Sequence, residues 1–89
     1  MREIIQTAQF KKDFKKIAAS GRYHKKDLLK VVELLLNNEA LPSRVRDHAL
    51  INDWKDYREC HIKPDWLLIY KKTEDHLILV RTGSHSDLF

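Results

Sequence analysis

Five consecutive apolar residues, Trp66-Leu67-Leu68-Ile69-Tyr70, stand in a chain of which 34% is charged. A strand with one wet face alternates polar and apolar residues. An unbroken apolar run of this length buries both faces. The run therefore predicts the central strand of a sheet. Residues 56–63 and 76–82 read as strands on either side of it, joined through turns at Lys63-Pro64-Asp65 and Thr73-Glu74-Asp75. Connections this short predict an antiparallel meander.

The N-terminal half has a different period. Residues 2–6 read as a short first strand, after which Thr7 caps a helix to about Ser20. Phe10, Phe14, Ile17 and Ala18 share one face of it, while Lys11, Lys12, Lys15 and Lys16 cover much of the rest. Gly21 is the stop signal. A second helix is predicted from about His24 to Asn38, with Leu28, Val31, Val32, Leu35 and Leu36 as its buried stripe and Pro42 beyond its end. Residues 39–54 show no strong period and read as a connecting loop. The expected fold is α+β: two N-terminal helices packed on one face of an antiparallel sheet, in a single domain spanning 1–89.

Composition narrows the function classes. A single cysteine, Cys60, excludes an internal disulfide and fits a reducing cytosol. No run approaches the roughly 18 apolar residues of a membrane span. The start, Met1 to Gln6, is too short and polar for a signal peptide, so a cytoplasmic location without membrane contact is expected. The net charge of +4 is unevenly placed: residues 1–46 hold eleven Lys/Arg against five Asp/Glu, and residues 47–89 hold six against eight. A basic half of this kind favours a polyanion such as RNA, or an acidic protein partner.

The second half carries groups suited to acid–base chemistry. If Cys60 and Ile62 face the core, strand alternation turns His61 to the open face, and Arg81 joins it if the register allows. His48 lies in the irregular loop. Gly83 permits a sharp exit from the last strand, so the tail carrying His85 can fold back over the sheet. His61 and Asp65 straddle Pro64, and a carboxylate there favours a protonated imidazole. Cutting RNA without a metal needs such a set: a base for a 2′-hydroxyl, an acid for a leaving oxygen and a fixed cation facing the phosphate. Each residue alone also fits an ordinary surface position. Trp66 and Phe89 are candidate base-stacking platforms, whereas Trp54 and Tyr57 read as packing residues. A zinc site is the chemical rival, but gaps of 13 and 24 residues between the histidines match no short ligand motif. No metal or cofactor is expected.

These residues together resemble a known family. Asp47-His48-Ala49-Leu50, the run from Trp54 to Tyr70, the ending Arg81-Thr82-Gly83-Ser84-His85-Ser86-Asp87-Leu88-Phe89 and the lysine-rich start of the first helix are similar to the YafQ branch of the RelE toxin family. The resemblance implies a microbial-ribonuclease-like fold and a bacterial type II toxin that cuts messenger RNA in the ribosomal decoding site. It also implies a cognate antitoxin. Carried over by motif, His48, His61, Asp65, Arg81 and His85 take the active-site positions, with Trp66 and Phe89 also associated with activity. Lys11, Lys12, Lys15 and Lys16 are expected to meet RNA. The sequence departs from the family at Asn52 and Asp56, often glycine there, and at Ala49, often proline. The alternative is a ParE-type toxin sharing the fold but binding DNA gyrase without catalysis, a role that needs no histidine set.

Overall fold

The computed structural model describes residues 2–50 and 55–88. Strand β1 (Glu3–Gln6) leads into helix α1 (Ala8–Ser20), then α2 (Lys25–Leu36). A 3-10 turn (Ser43–Val45) precedes the short strand β2 (His48–Ala49). The meander β3 (Arg58–Lys63), β4 (Trp66–Lys72) and β5 (His76–Gly83) follows, and then the four-residue helix α3 (His85–Leu88). The sheet order is β1-β5-β4-β3-β2, so β4 is central as its apolar run predicts.

The local signals act where they were read. Thr7 Oγ1 accepts the Phe10 N–H at 3.0 Å and donates to the Val80 carbonyl at 2.8 Å, so the cap also ties α1 to β5. Gly21 ends α1 with φ of 72°, in the left-handed region. Phe10, Ile17, Leu28, Val31, Val32 and Leu35 then pack with Cys60, Trp66, Leu68 and Tyr70 in one core. The opposite face of β4 is also buried: Leu67 and Ile69 cluster with Leu88 from the tail.

Three expectations need correction. The sheet is mixed, because β1 pairs parallel to β5. The two helices carry the chain from β1 at one edge to β2 at the other. The meander then brings β5 back beside β1, so no hairpin joins the two and they can pair parallel. Residues 39–54 are not loop throughout, since His48 and Ala49 pair antiparallel with Glu59 and Arg58. A two-residue strand is too short to show alternation. Finally, β5 carries one extra residue, Val80, opposite the Ile69–Tyr70 step. This bulge interrupts the alternation used to place Arg81. Asn52, Trp54 and Phe89 lie outside the described residues. Asp56, at the second departure from family glycine, has φ of 78°.

Candidate active site

The edge of the sheet near β2 carries two of the histidines. Pairing sets His48 opposite Glu59, and Glu59 and His61 share a face of β3. Asp47 pins the segment: its carboxylate takes Arg58 Nε at 3.2 Å and Nη2 at 3.0 Å, and the Tyr70 hydroxyl donates to it as well. His48 Nδ1 donates to the Arg46 carbonyl at 2.8 Å, since a carbonyl only accepts. The other nitrogen, Nε2, is thereby left toward Glu59 Oε1 at 3.9 Å. The same oxygen lies 3.4 Å from His61 Nε2.

His61 keeps 9% exposure, and neither of its ring nitrogens makes a hydrogen bond among the described residues. Burial lowers its pKa. The Glu59 charge opposes that shift, while Arg46, His85 and His48 reinforce it. The expected Asp65 partner is not there, and His61 shifts toward the neutral form rather than the charged one. Sequence alone assigns Glu59 no role; the strand alternation that turns His61 away from Cys60 and Ile62 carries Glu59 with it and is the available signal.

Asp65 serves His85 instead. Thr82 closes the strand end, accepting the Trp66 indole N–H at 2.8 Å and donating to the Leu67 carbonyl at 2.7 Å. At Gly83 a Cβ would come within 3.1 Å of the Asp87 side chain, so any larger residue would push the tail outward by a few tenths of an ångström. Ser84 and Asp87 then form a reciprocal capping box: Ser84 Oγ accepts the Asp87 N–H at 3.2 Å, and Asp87 Oδ2 accepts the Ser84 N–H at 3.2 Å. These contacts place His85, whose Nδ1 lies 3.1 Å from Asp65 Oδ1 and whose backbone N–H donates to that oxygen at 3.2 Å. The two hydrogen bonds from His85 hold the Asp65 carboxyl below its ordinary pKa. The His61 ring centroid lies 6.5 Å from that of His48 and 5.5 Å from that of His85. The structure therefore brings His48, His61, His85, Asp65 and the unforeseen Glu59 into one group.

Arg81 is held elsewhere. Its Nε donates to Asp13 Oδ2 at 3.0 Å and its Nη2 to Asp13 Oδ1 at 3.1 Å, toward α1. Arg81 and Asp65 nevertheless line the same cleft of about 520 Å³, with Lys12, Lys16 and Tyr23 on its walls. Lys11 and Lys15 are exposed on α1 but do not line it. Trp66 needs correction as a stacking platform. It is fully buried, with its indole face stacked on Tyr23 at 4.9 Å. The central strand claims the ring for the core, and Tyr23 is the half-buried aromatic that reaches the cleft.

One metal-capable cluster stands out among the described residues: Glu59, His61 and His85 each offer a ligand atom, all within 4.8 Å of one another. Nitrogen and carboxylate donors in this geometry suit a borderline transition metal. No helix among the described residues is long and apolar enough to cross a membrane.

The group sits in a recognisable lineage. The sequence model of a family described as "Bacterial toxin of type II toxin-antitoxin system, YafQ" matches residues 2–89. An mRNA interferase toxin YafQ from Escherichia coli is 44% identical over 90 residues, covering 99% of this chain and 96% of that protein. A copper-bound mutant toxin from Helicobacter pylori is 44% identical, with a TM-score of 0.95 over 100% of both chains. The toxin of an E. coli DinJ-YafQ complex is 42% identical, with a TM-score of 0.88 over 100% of this chain and 99% of that one. With the family matched from residue 2 to residue 89, the chain belongs to the YafQ toxins of bacterial type II toxin–antitoxin systems.

Proposed function

We propose that this chain is a ribosome-dependent endoribonuclease that cuts messenger RNA in the decoding site, in the cytoplasm, without a metal. The observation that carries the reading is the row of three imidazoles flanked by Asp65 and Glu59. A protein that acts by binding alone, as in the gyrase-directed alternative, has no use for it. The name of the E. coli relative supports the activity, and the DinJ-YafQ complex supports a cognate antitoxin as partner.

In the proposed reaction His61 accepts the 2′-hydroxyl proton, because burial keeps its ring unprotonated near neutral pH and, with Nε2 turned to Glu59 at 3.4 Å, Nδ1 has no hydrogen-bond partner among the described residues. The freed oxygen attacks the adjacent phosphorus and the bond to the 5′-oxygen breaks. His85, oriented through Nδ1 by Asp65, donates the proton that oxygen needs. Arg81 carries the extra phosphoryl charge. His48 and Glu59 hold the field around His61. Lys12 and Lys16 meet the flanking RNA in the cleft; Lys11 and Lys15 remain for ribosomal RNA. Phe89 keeps the role the family resemblance implies.

The products are a 2′,3′-cyclic phosphate and a 5′-hydroxyl. Mapping messenger RNA ends after induction, with and without intact ribosomes, tests this directly. Cuts bearing 5′-hydroxyl ends, absent in His85→Ala and absent from naked RNA, are expected; 5′-phosphate ends would sink the mechanism. The Glu59–His61–His85 set also makes a second expectation. A bound Cu²⁺ or Zn²⁺ would occupy the nitrogens that proton transfer needs, so added metal should slow cleavage. A chelator selective for those ions should leave cleavage unchanged, and loss of activity on chelation would overturn metal independence.

A further inference from the structure

Asp13 is the one acidic residue of α1, surrounded in sequence by four lysines. Its carboxylate takes Nε and Nη2 of Arg81 side-on, at 3.0 and 3.1 Å. It also accepts the Thr82 backbone N–H at 3.3 Å and the Gln9 amide at 3.1 Å. Its side chain is 11% exposed, against 27% for Arg81. A guanidinium has five N–H donors in a planar fork. The side-on pair consumes one on Nε and one on Nη2. Among the described residues the Nη1–Nη2 edge, which matches a phosphate in a bidentate way, makes no further hydrogen bond.

We infer that Asp13 is the positioning residue of the nuclease, holding Arg81 by one edge so that its other edge faces the scissile phosphate in the cleft shared with Asp65. The inference rests on the catalytic reading of Arg81 above. The alternative, a latch that must release Arg81 before catalysis, is disfavoured by burial. Release would leave a nearly buried carboxylate without its cation, and breaking such a pair is costly. The brace instead joins α1 to the end of β5 before substrate arrives, which is preorganisation.

The test is single-turnover cleavage of messenger RNA on programmed ribosomes by wild type, Asp13→Ala, Asp13→Asn, Asp13→Glu, Arg81→Ala and the double variant Asp13→Ala/Arg81→Ala. Asp13→Ala should lower the rate constant at saturating ribosomes by about 10- to 100-fold, the scale of a misplaced catalytic group. The half-saturating ribosome concentration should move by less than about twofold. Asp13→Glu should recover part of the rate, and the double variant should be no slower than Arg81→Ala. Should Asp13→Ala fail to fold, the near-isosteric Asp13→Asn takes its place, and the Arg81 Nε–H resonance reports whether the guanidinium has come loose. Wild-type or faster cleavage by the Asp13 variants beside an inactive Arg81→Ala overturns the inference, as do losses that multiply in the double variant. Wild-type cleavage by Arg81→Ala is a different result: it removes the catalytic role of Arg81, and the inference falls with it.

Discussion

His61 carries its imidazole between those of His48 and His85, beside the buried carboxylate of Glu59. Burial wins over that carboxylate, and its folded pKa lies below the ordinary value near 6.5. The unfolded chain therefore takes up this proton first on acidification. The stability His61 contributes is complete above about pH 6.5 and falls as the pH drops toward the folded value. The same titration should give the cleavage rate an acidic limb below about pH 6.5, since only the neutral ring accepts a proton. A pH–rate profile of His61→Gln should be slow and lack that limb; a limb that survives unchanged would assign the base elsewhere. Asp65 shows the converse limit of residue-scale reasoning. Its distance along the chain from His61 made the two look like partners, yet its carboxylate meets His85, twenty positions further on.

Among the elements, α3 is the smallest and the one His85 depends on. Four residues are too few for a helix to persist by itself. The Ser84–Asp87 box and the burial of Leu88 against Leu67 and Ile69 hold it in place. Ser84→Ala should cost about 1 kcal/mol of cap energy, read as a small drop in melting temperature. Its larger effect should be on cleavage, because His85 loses its fixed approach to Asp65. Unchanged single-turnover rates in this variant would show that the tail is ordered by other means. The box was present in the sequence as Ser84-His85-Ser86-Asp87. It passed unread because no apolar run follows it, the context that normally marks a helix start.

Across the whole molecule, carboxylates do much of the joining between segments distant in sequence. Asp13 ties α1 to β5, Asp65 ties the β3–β4 turn to α3, Asp87 reaches Lys16 at 3.5 Å, and Asp47 ties the β2 segment to β3 and β4. Asp13 is pushed up by burial. The hydrogen bonds from Arg81, Gln9 and Thr82, with the Arg81 charge, outweigh this and bring it below its ordinary value. Asp65 and Asp87 are lowered by their hydrogen bonds to His85 and Ser84. A depressed carboxylate stabilises the fold above its unfolded pKa, near 4, and loses that contribution as the pH falls through its folded value. Thermal melts from pH 6 to pH 3 should therefore show falling stability, with a shallower fall in Asp13→Asn. Equal slopes in the two proteins would mean that Asp13 is not a source of the acid sensitivity.

What the sequence determined by itself is local and periodic. The apolar run at 66–70 made β4 central, Thr7 and Gly21 bounded α1, the two turns made the meander, and alternation turned His61 out of the main core. Each of these is set by neighbours within a few residues, through backbone sterics, capping and the side-chain period. The tertiary structure alone decided the parallel seating of β1, the strand at His48, the bulge at Val80 and the burial of Trp66 under Tyr23. It also decided the two pairings that define the site, Asp65 with His85 and Asp13 with Arg81. These join residues 20 and 68 positions apart. Such contacts depend on which elements pack together and in what register, and no short-range pattern records that.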